Sequence, residues 1–273
     1  RLVQKCIEIR GVKVKIADPR RKTEQGGPHS RILVRLVVGL SAVAVLFFLF
    51  ARIDYPWNWY VPLQYRALFI KGFFNTVFVS VGAIILGFVL GVAGGLARVS
   101  NNVLASEIAA LYVGLFRGTP LLVQIYIFYF CIAAAVHLDD PKFIGIITLA
   151  FFSGAYISEM VRAGIESIDK GQIEAAKSTG LSDRQTMRHI IFPQAFRRII
   201  PPVTGQFVSL IKDSSLLSII SVRELTKAAE VINATTYKTF EAYLPLAGLY
   251  LLITYPLYYL TQRLEARMDY RTR

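Results

Sequence analysis

The chain has 273 residues, of which 54% are hydrophobic and only 18% charged, and its mean hydropathy is +0.48. A water-soluble domain of this length carries more charge and shorter apolar runs, so the composition points to a protein whose solvent is the bilayer. The formal net charge of +13 does not point to nucleic acid, because its distribution is wrong for that partner. Basic residues gather in positions 1–35, in 162–198 and in 263–273. The stretches between them are long enough to cross a membrane, and no aromatic–basic surface motif accompanies the charge. Cys6 in the polar head and Cys131 in an apolar run lack the neighbours of a disulfide, metal or redox motif.

In chain order, residues 1–30 read as a basic cytoplasmic tail without fixed structure, with Gly26, Gly27 and Pro28 at its end. A hydrocarbon core of about 30 Å needs about 20 helical residues. Six windows meet or approach that length: Leu36–Ala51, Gly72–Ala97, Gly118–Leu138 extended backward by Ile108–Phe116, Phe143–Ser158, Ile199–Ile220 and Ala242–Gln262. The expectation is therefore an all-α integral membrane protein of about six transmembrane helices. The first window is short, but its flanking Arg35 and Arg52 can snorkel. It resembles a signal peptide only loosely, since about 30 polar residues precede it and no Ala-x-Ala site follows. Residues 31–53 are accordingly expected to be a retained span. Gly87, Gly91 and Gly95 place small residues on one face of the second span, which suits close helix packing.

The connections fix an expected orientation. The head carries Lys5, Arg10, Lys13, Lys15, Arg20, Arg21, Lys22, Arg31 and Arg35, which places it inside. Six crossings return the C-terminus, with Arg263, Arg267, Arg271 and Arg273, to the same side. The segment 162–198 also falls inside, whereas 139–142 and 221–241 are poorer in basic residues and fall outside. Tyr55, Trp57, Trp59 and Tyr60 suit an outer interfacial belt. The expected location is the cytoplasmic (inner) membrane, multi-pass, with both termini cytoplasmic.

The inside segment is long for a protein with short connections elsewhere. Asp169–Thr179 has helix-forming composition and is followed by Gly180 at a helix C′ position. Ser182-Asp183-Arg184-Gln185 matches a capping box, and the helix it starts runs toward Ile190 and Ile191 until Pro193 interrupts it. Two helices meeting at a glycine corner follow, with small Ala175 and Ala176 just before the corner. Such a corner suits a docking surface, and it equally suits an amphipathic loop resting on the membrane.

No catalytic constellation is present. His29, His137 and His189 are scattered without metal-ligand spacing, and no Gly-Lys dipeptide exists to form a phosphate-binding Walker A loop. Ionisable residues within spans carry the chemical interest, because a mid-bilayer charge costs about 2.5–3.5 kcal/mol and so pairs or lines a polar path. The candidates are Arg117, Glu159, Arg162, Lys212 and Asp213, with hydroxyls Thr119, Ser214 and Ser215. Glu159 and Arg162 are spaced to pair on one helix. Lys212 and Asp213 are adjacent, point to different sides and each call for a partner elsewhere.

Several of these segments together resemble a known family. Glu174-Ala175-Ala176, Gly180, Ile190 and Pro193 reproduce the Glu-Ala-Ala, Gly, Ile-x-Leu-Pro pattern of bacterial ABC importer permeases, with Phe192 in place of the usual leucine. Phe116-Arg117-Gly118-Thr119-Pro120-Leu121-Leu122-Val123-Gln124 is similar to a signature of the polar amino-acid branch. So are Ser158-Glu159-Met160-Val161-Arg162-Ala163-Gly164 and Leu210-Ile211-Lys212-Asp213-Ser214-Ser215-Leu216. The likeness covers about residues 65–268; the head and first span lie outside it, and five spans are usual in that branch. It implies a type I importer fold, with 169–193 coupling to the ATPase. It implies ABC ATPase subunits that bind ATP and Mg, no cofactor on this chain, a second permease subunit and an extracytoplasmic substrate-binding protein. An ion-driven secondary transporter would lack the docking segment and show inverted repeats, and a membrane scaffold would have no use for the intramembrane charges.

Overall fold

The computed structural model describes residues 6–9, 12–15 and 28–269. Lys5, Arg10, Arg20, Arg21, Lys22, Gly26, Gly27, Arg271 and Arg273 lie outside the described residues. The chain divides into two compact units, the first ending at Pro56 and the second beginning at Trp57. In the first unit, the tail expected to lack structure contains two antiparallel strands, β1 (Cys6–Ile9) and β2 (Val12–Lys15). The register explains the pairing: Ile7 stands opposite Val14, Ile9 opposite Val12, and Glu8 opposite Lys13. Helix α1 (Pro28–Ala51) follows and contains the apolar stretch Ile32–Val45. It starts before the expected Leu36, with Pro28 at its first turn, where a missing N–H costs nothing.

The second unit is all helical. Trp57 stacks on Trp59 at 5.7 Å between ring centroids and tilts against Phe240 at 5.1 Å. The short α2 (Tyr60–Gln64) leads into α3 (Arg66–Arg98), the longest helix of the bundle. Its partner is α6 (Pro141–Glu166), begun by Asp140, whose carboxylate accepts the Lys142 N–H at 2.9 Å, and by Pro141 in the first turn. Glycines decide how close the two helices come. A Cβ on Gly91 would lie 2.5 Å from Ile157 Cβ, one on Gly95 2.5 Å from Val161 Cβ, and one on Gly87 2.2 Å from Ser153 Oγ. Positions rise together on both helices, so α3 and α6 run parallel and the chain between them must return. The expected packing role of the glycine stripe is what the backbone shows.

The return is made by α4 (Val103–Gly118), capped by Asn102, and α5 (Leu121–Tyr126), which continues as a π-helical segment to Ala133. The sequence suggested one straight span here, but the two pieces are bent by 107°. Pro120 is the cause: it lacks a donor and forces Thr119 into the extended region, at φ −121° and ψ 147°. The connection after α6 holds α7 (Lys170–Ser178) and α8 (Asp183–Thr186), which runs through a π-helical turn at Met187–Ile191 into α9 (Phe192–Asp213). Pro193 therefore does not interrupt the helix as expected. The wider turn before it removes the ladder position that proline cannot fill. Gly145 lies against Leu217 and Gly164 against Ile199, so this strand of the bundle runs antiparallel to α6.

After α9 the chain tightens into a 3₁₀ segment, Ser214–Ile220, and turns at Ser221, which has φ 65°. Helix α10 (Leu225–Thr236) then leads to α11 (Thr239–Asp269). Three apolar clusters hold the unit. One centres on Val79, Ile125, Leu149, Leu210 and Leu217; one on Phe69, Leu225 and Ile232; one on Ile157, Val161, Ile191 and Ala195. Helices α3, α6 and α11 are each long and apolar enough to cross a membrane, as is the bent pair α4–α5 taken as one span. Helix α9, the expected fifth span, falls short by composition because it carries Arg197, Arg198, Lys212 and Asp213.

Candidate functional site

The corner after α6 is built by local chemistry. Asp169 caps α7 by accepting the Gly171 N–H at 2.7 Å. At the other end, Leu181 N–H donates to Ala176 O at 3.2 Å and Gly180 N–H to Lys177 O at 3.0 Å, the paired bonds of a Schellman stop. Gly180 adopts φ +85°, a left-handed conformation that costs a Cβ-bearing residue about 1–2 kcal/mol. The expected capping box is complete: Gln185 N–H donates to Ser182 Oγ at 3.3 Å, and Ser182 N–H to Gln185 Oε1 at 2.9 Å. Lys177 and Asp183 pair across the corner at 2.9 Å.

Of the residues that the sequence placed in this segment, Glu174, Ala175, Gly180 and Pro193 are exposed, Ile190 is half-buried, and Ala176 is buried beneath them. The outer surface is therefore small and uncluttered at Ala175 and Gly180, with the exposed carboxylate of Glu174 beside them. The corner is also tied to the long helices on both sides. Gln194 Nε2 donates to Gln172 Oε1 at 2.6 Å, and Arg198 reaches Ser167, donating to its carbonyl at 2.5 Å and its hydroxyl at 2.8 Å. A push on α7 thus passes into the end of α6 and the start of α9.

A second constellation lies around Glu159 on α6. Arg162 grips it with two hydrogen bonds, Nε to Oε2 at 3.0 Å and Nη2 to Oε1 at 2.5 Å, so the expected pairing along the helix is present. The same arginine reaches Glu166 one turn on. Arg117, from the end of α4, approaches Glu159 at 3.7 Å and lies 5.4 Å over the Tyr156 ring; Arg98, from the end of α3, approaches at 3.9 Å. One carboxylate thus collects three guanidinium groups from three helices, and its side chain is still 25% exposed. Thr119 is held nearby in the chain by Gln124, whose Nε2 donates to its hydroxyl at 2.9 Å and to Phe116 O at 2.7 Å across the α4–α5 break. Gln124 Oε1 is buried with no hydrogen-bond partner.

Lys212, Asp213, Ser214 and Ser215 form a separate patch at the junction of α9 with the 3₁₀ segment. Neither Lys212 nor Asp213 takes the partner expected for it among the described residues; Lys212 is exposed and Asp213 half-buried. Ser214 is buried and donates to Ile211 O at 2.8 Å, so its hydroxyl is spent on its own helix. The candidates therefore separate into a gathered set, Arg117, Glu159 and Arg162, with Thr119 two residues beyond Arg117 in the chain, and a second set at 212–215 whose two charges take no ion pair among the described residues. Arg98 and Glu166 join the Glu159 cluster and were missed by sequence reasoning. Glu166 could have been found, since it stands four residues after Arg162; Arg98 comes in from another helix and carries no local signal. Outside the spanning helices, Glu224 is fully buried. Burial pushes its carboxyl upward, against the N–H donors of Thr226 and Lys227 and the Tyr250 hydroxyl. Among the described residues no group of three His, Cys, Asp or Glu stands ready to hold a metal ion.

Comparison with known proteins matches this arrangement. The family model described as "Binding-protein-dependent transport system inner membrane component" matches residues 83–270. The probable glutamine ABC transporter permease protein GlnM of Bacillus subtilis is 37% identical over 204 residues, covering 74% of this chain and 94% of that protein. The glutamine transport system permease protein GlnP of Escherichia coli K12 is 37% identical over 203 residues, covering 74% and 93%. A chain in the crystal structure of an amino acid ABC transporter with histidines superposes with a TM-score of 0.73 at 32% identity, covering 78% of this chain and 100% of that one. A chain of the inward-facing MetNI methionine ABC transporter shares the fold alone, with a TM-score of 0.64 at 18% identity over 74% and 96%. With its parallel α3–α6 core and the corner that follows it, the chain belongs to the family of inner-membrane components of binding-protein-dependent transport systems.

Proposed function

We propose that this chain is the permease subunit of an ATP-driven importer that moves polar amino acids across the cytoplasmic membrane by alternating access, with both termini cytoplasmic. Two such subunits, identical or related, form the path in the bilayer. Two ABC ATPase subunits, which carry the ATP and Mg, dock on the corner at Glu174, Ala175, Gly180, Ile190 and Pro193. An extracytoplasmic binding protein delivers the substrate. The observation that carries this reading is the exposed, glycine-stopped corner, which is hydrogen-bonded to α9 through Gln172 and Gln194, while α9 is bonded to the end of α6 through Arg198 and Ser167. Closure of an ATPase cleft around it would move the two helices that carry Glu159 and Asp213. The names of the relatives and of the solved transporter support amino acids as cargo.

A zwitterion needs both charge signs along its path, and the gathered set supplies them through Arg117, Glu159 and Arg162. The second set, Lys212, Asp213, Ser214 and Ser215, supplies another pair of opposite charges. Docking is tested by co-purification with the ATPase subunit, comparing the wild type with Gly180→Trp. Loss of the ATPase with membrane insertion intact supports the docking role; equal recovery of the ATPase by both would remove it.

A further inference from the structure

A polar pocket and an apolar groove meet at the end of the bundle where α3 and α6 begin. The pocket, about 1010 Å³, lies among the starts of α3, α6 and α10. The groove, about 750 Å³, runs down the outer face of α3 along Phe74, Phe78, Val81 and Ile85. Phe74, Asn75 and Lys142 line both, so the two are continuous.

Charge around the pocket is one-sided. Lys71, Lys142 and Arg223 take no ion pair among the described residues, whereas Lys227 is paired with Glu230 at 3.1 Å. The two acids on the wall are already engaged. Asp140 caps α6, and the Glu224 carboxylate turns inward to Tyr250 and to the N–H groups opening α10. Asn75 fixes the geometry by donating to Arg223 O at 2.7 Å and accepting from Lys142 Nζ at 3.0 Å. Lys142 Nζ also lies 5.8 Å from the Phe78 ring centroid, where pocket passes into groove.

We propose that this site binds an anionic phospholipid, with the phosphate among Lys71, Lys142 and Arg223 and an acyl chain along the groove. The dimensions suit that occupant. Phe74 to Ile85 spans about 17 Å of helix, and half of a hydrocarbon core of about 30 Å is one leaflet. The cations stand at the helix ends, at headgroup depth, and the groove descends toward mid-span. This end lies on the outer side of the expected topology, and a cation a few ångströms from a lipid phosphate there strengthens its binding about fivefold. The proposal rests on the membrane reading of the fold and is independent of which solute is carried.

The test is native mass spectrometry of the full chain in detergent with phosphatidylglycerol or phosphatidylcholine added, and inorganic phosphate as competitor. Wild type should retain phosphatidylglycerol in preference to phosphatidylcholine. The preference should fall about fivefold for each of Lys71→Gln, Lys142→Gln and Arg223→Gln. Phe78→Ala should weaken retention of both lipids, while Arg184→Gln, on the exposed α8, should change neither. A variant that fails to fold is recognised by its elution profile, and the other single variants then carry the test. Equal retention of the two lipids by wild type would overturn the proposal. So would full displacement by inorganic phosphate, which would indicate a free-anion site. Loss of dimer with unchanged lipid retention in the glutamine variants would overturn it too, assigning the face to a second copy of the chain.

Discussion

Glu159 receives contacts from Arg98, Arg117 and Arg162, and so from the ends of three helices. Removing its charge takes away the counterion shared by Arg98 and Arg117 and leaves Arg162 with Glu166 alone. Because the side chains are partly solvated, Glu159→Ala should cost stability only on the order of 1 kcal/mol. Uptake should fall by much more than that loss explains, and Glu159→Gln should fall with it, since the charge rather than the shape is removed. The check is uptake per folded transporter, with folding measured by thermal melting. Uptake equal to wild type in both variants would take Glu159 out of the path. At this scale the sequence named Glu159 and Arg162 because the i, i+3 spacing is local. It could not name Arg98, which reaches the site only through the parallel packing of α3 on α6. For Lys212 and Asp213 the reasoning that charges in a span find partners gave an expectation that the fold does not meet.

Elements were legible where they are fixed by neighbours in sequence. The stop at Gly180 and the box at Ser182–Gln185 each depend on residues within a turn, and each stands as the sequence implied, while Asp169, read as the first helical residue, is the N-cap. Breaks were less legible. Pro120 was passed over as one residue of an apolar run, although it bends α4–α5 by 107°; Pro193 was read as a break, although a π-helical turn absorbs it. A proline forbids one hydrogen bond and one backbone region, and whether the helix stops or adjusts depends on what packs around it. The closest-packed element pair is α3 with α6, and its tolerance is small. Gly91→Leu would put side-chain atoms where Ile157 Cβ and Gly154 O already lie. Overpacking of this kind costs about 1–3 kcal/mol. The expected outcome is a lower melting temperature and loss of assembled transporter, with Gly114→Leu, where nothing lies within 4 Å of the added Cβ, as the tolerant control. A wild-type melting temperature for Gly91→Leu would mean that the two helices do not meet at this face.

For the whole molecule, the alternation of charge-rich connections and apolar windows was enough to show a membrane bundle, and the motif order was enough to suggest its family. The topology between those windows was not legible: nothing local says that α3 and α6 run side by side in the same direction. In the proposed reading, motion of the corner at Gly180 reaches the cluster at Glu159 through α6. The most direct measurement is uptake of labelled polar amino acids, glutamine among them, into proteoliposomes that contain this chain with the ATPase subunit and binding protein proposed for it. Uptake should require ATP on the ATPase side, persist when ion gradients are collapsed, and disappear with Gly180→Trp. Uptake that continues without ATP and follows an ion gradient, unaffected by Gly180→Trp, would contradict the ATP-driven reading.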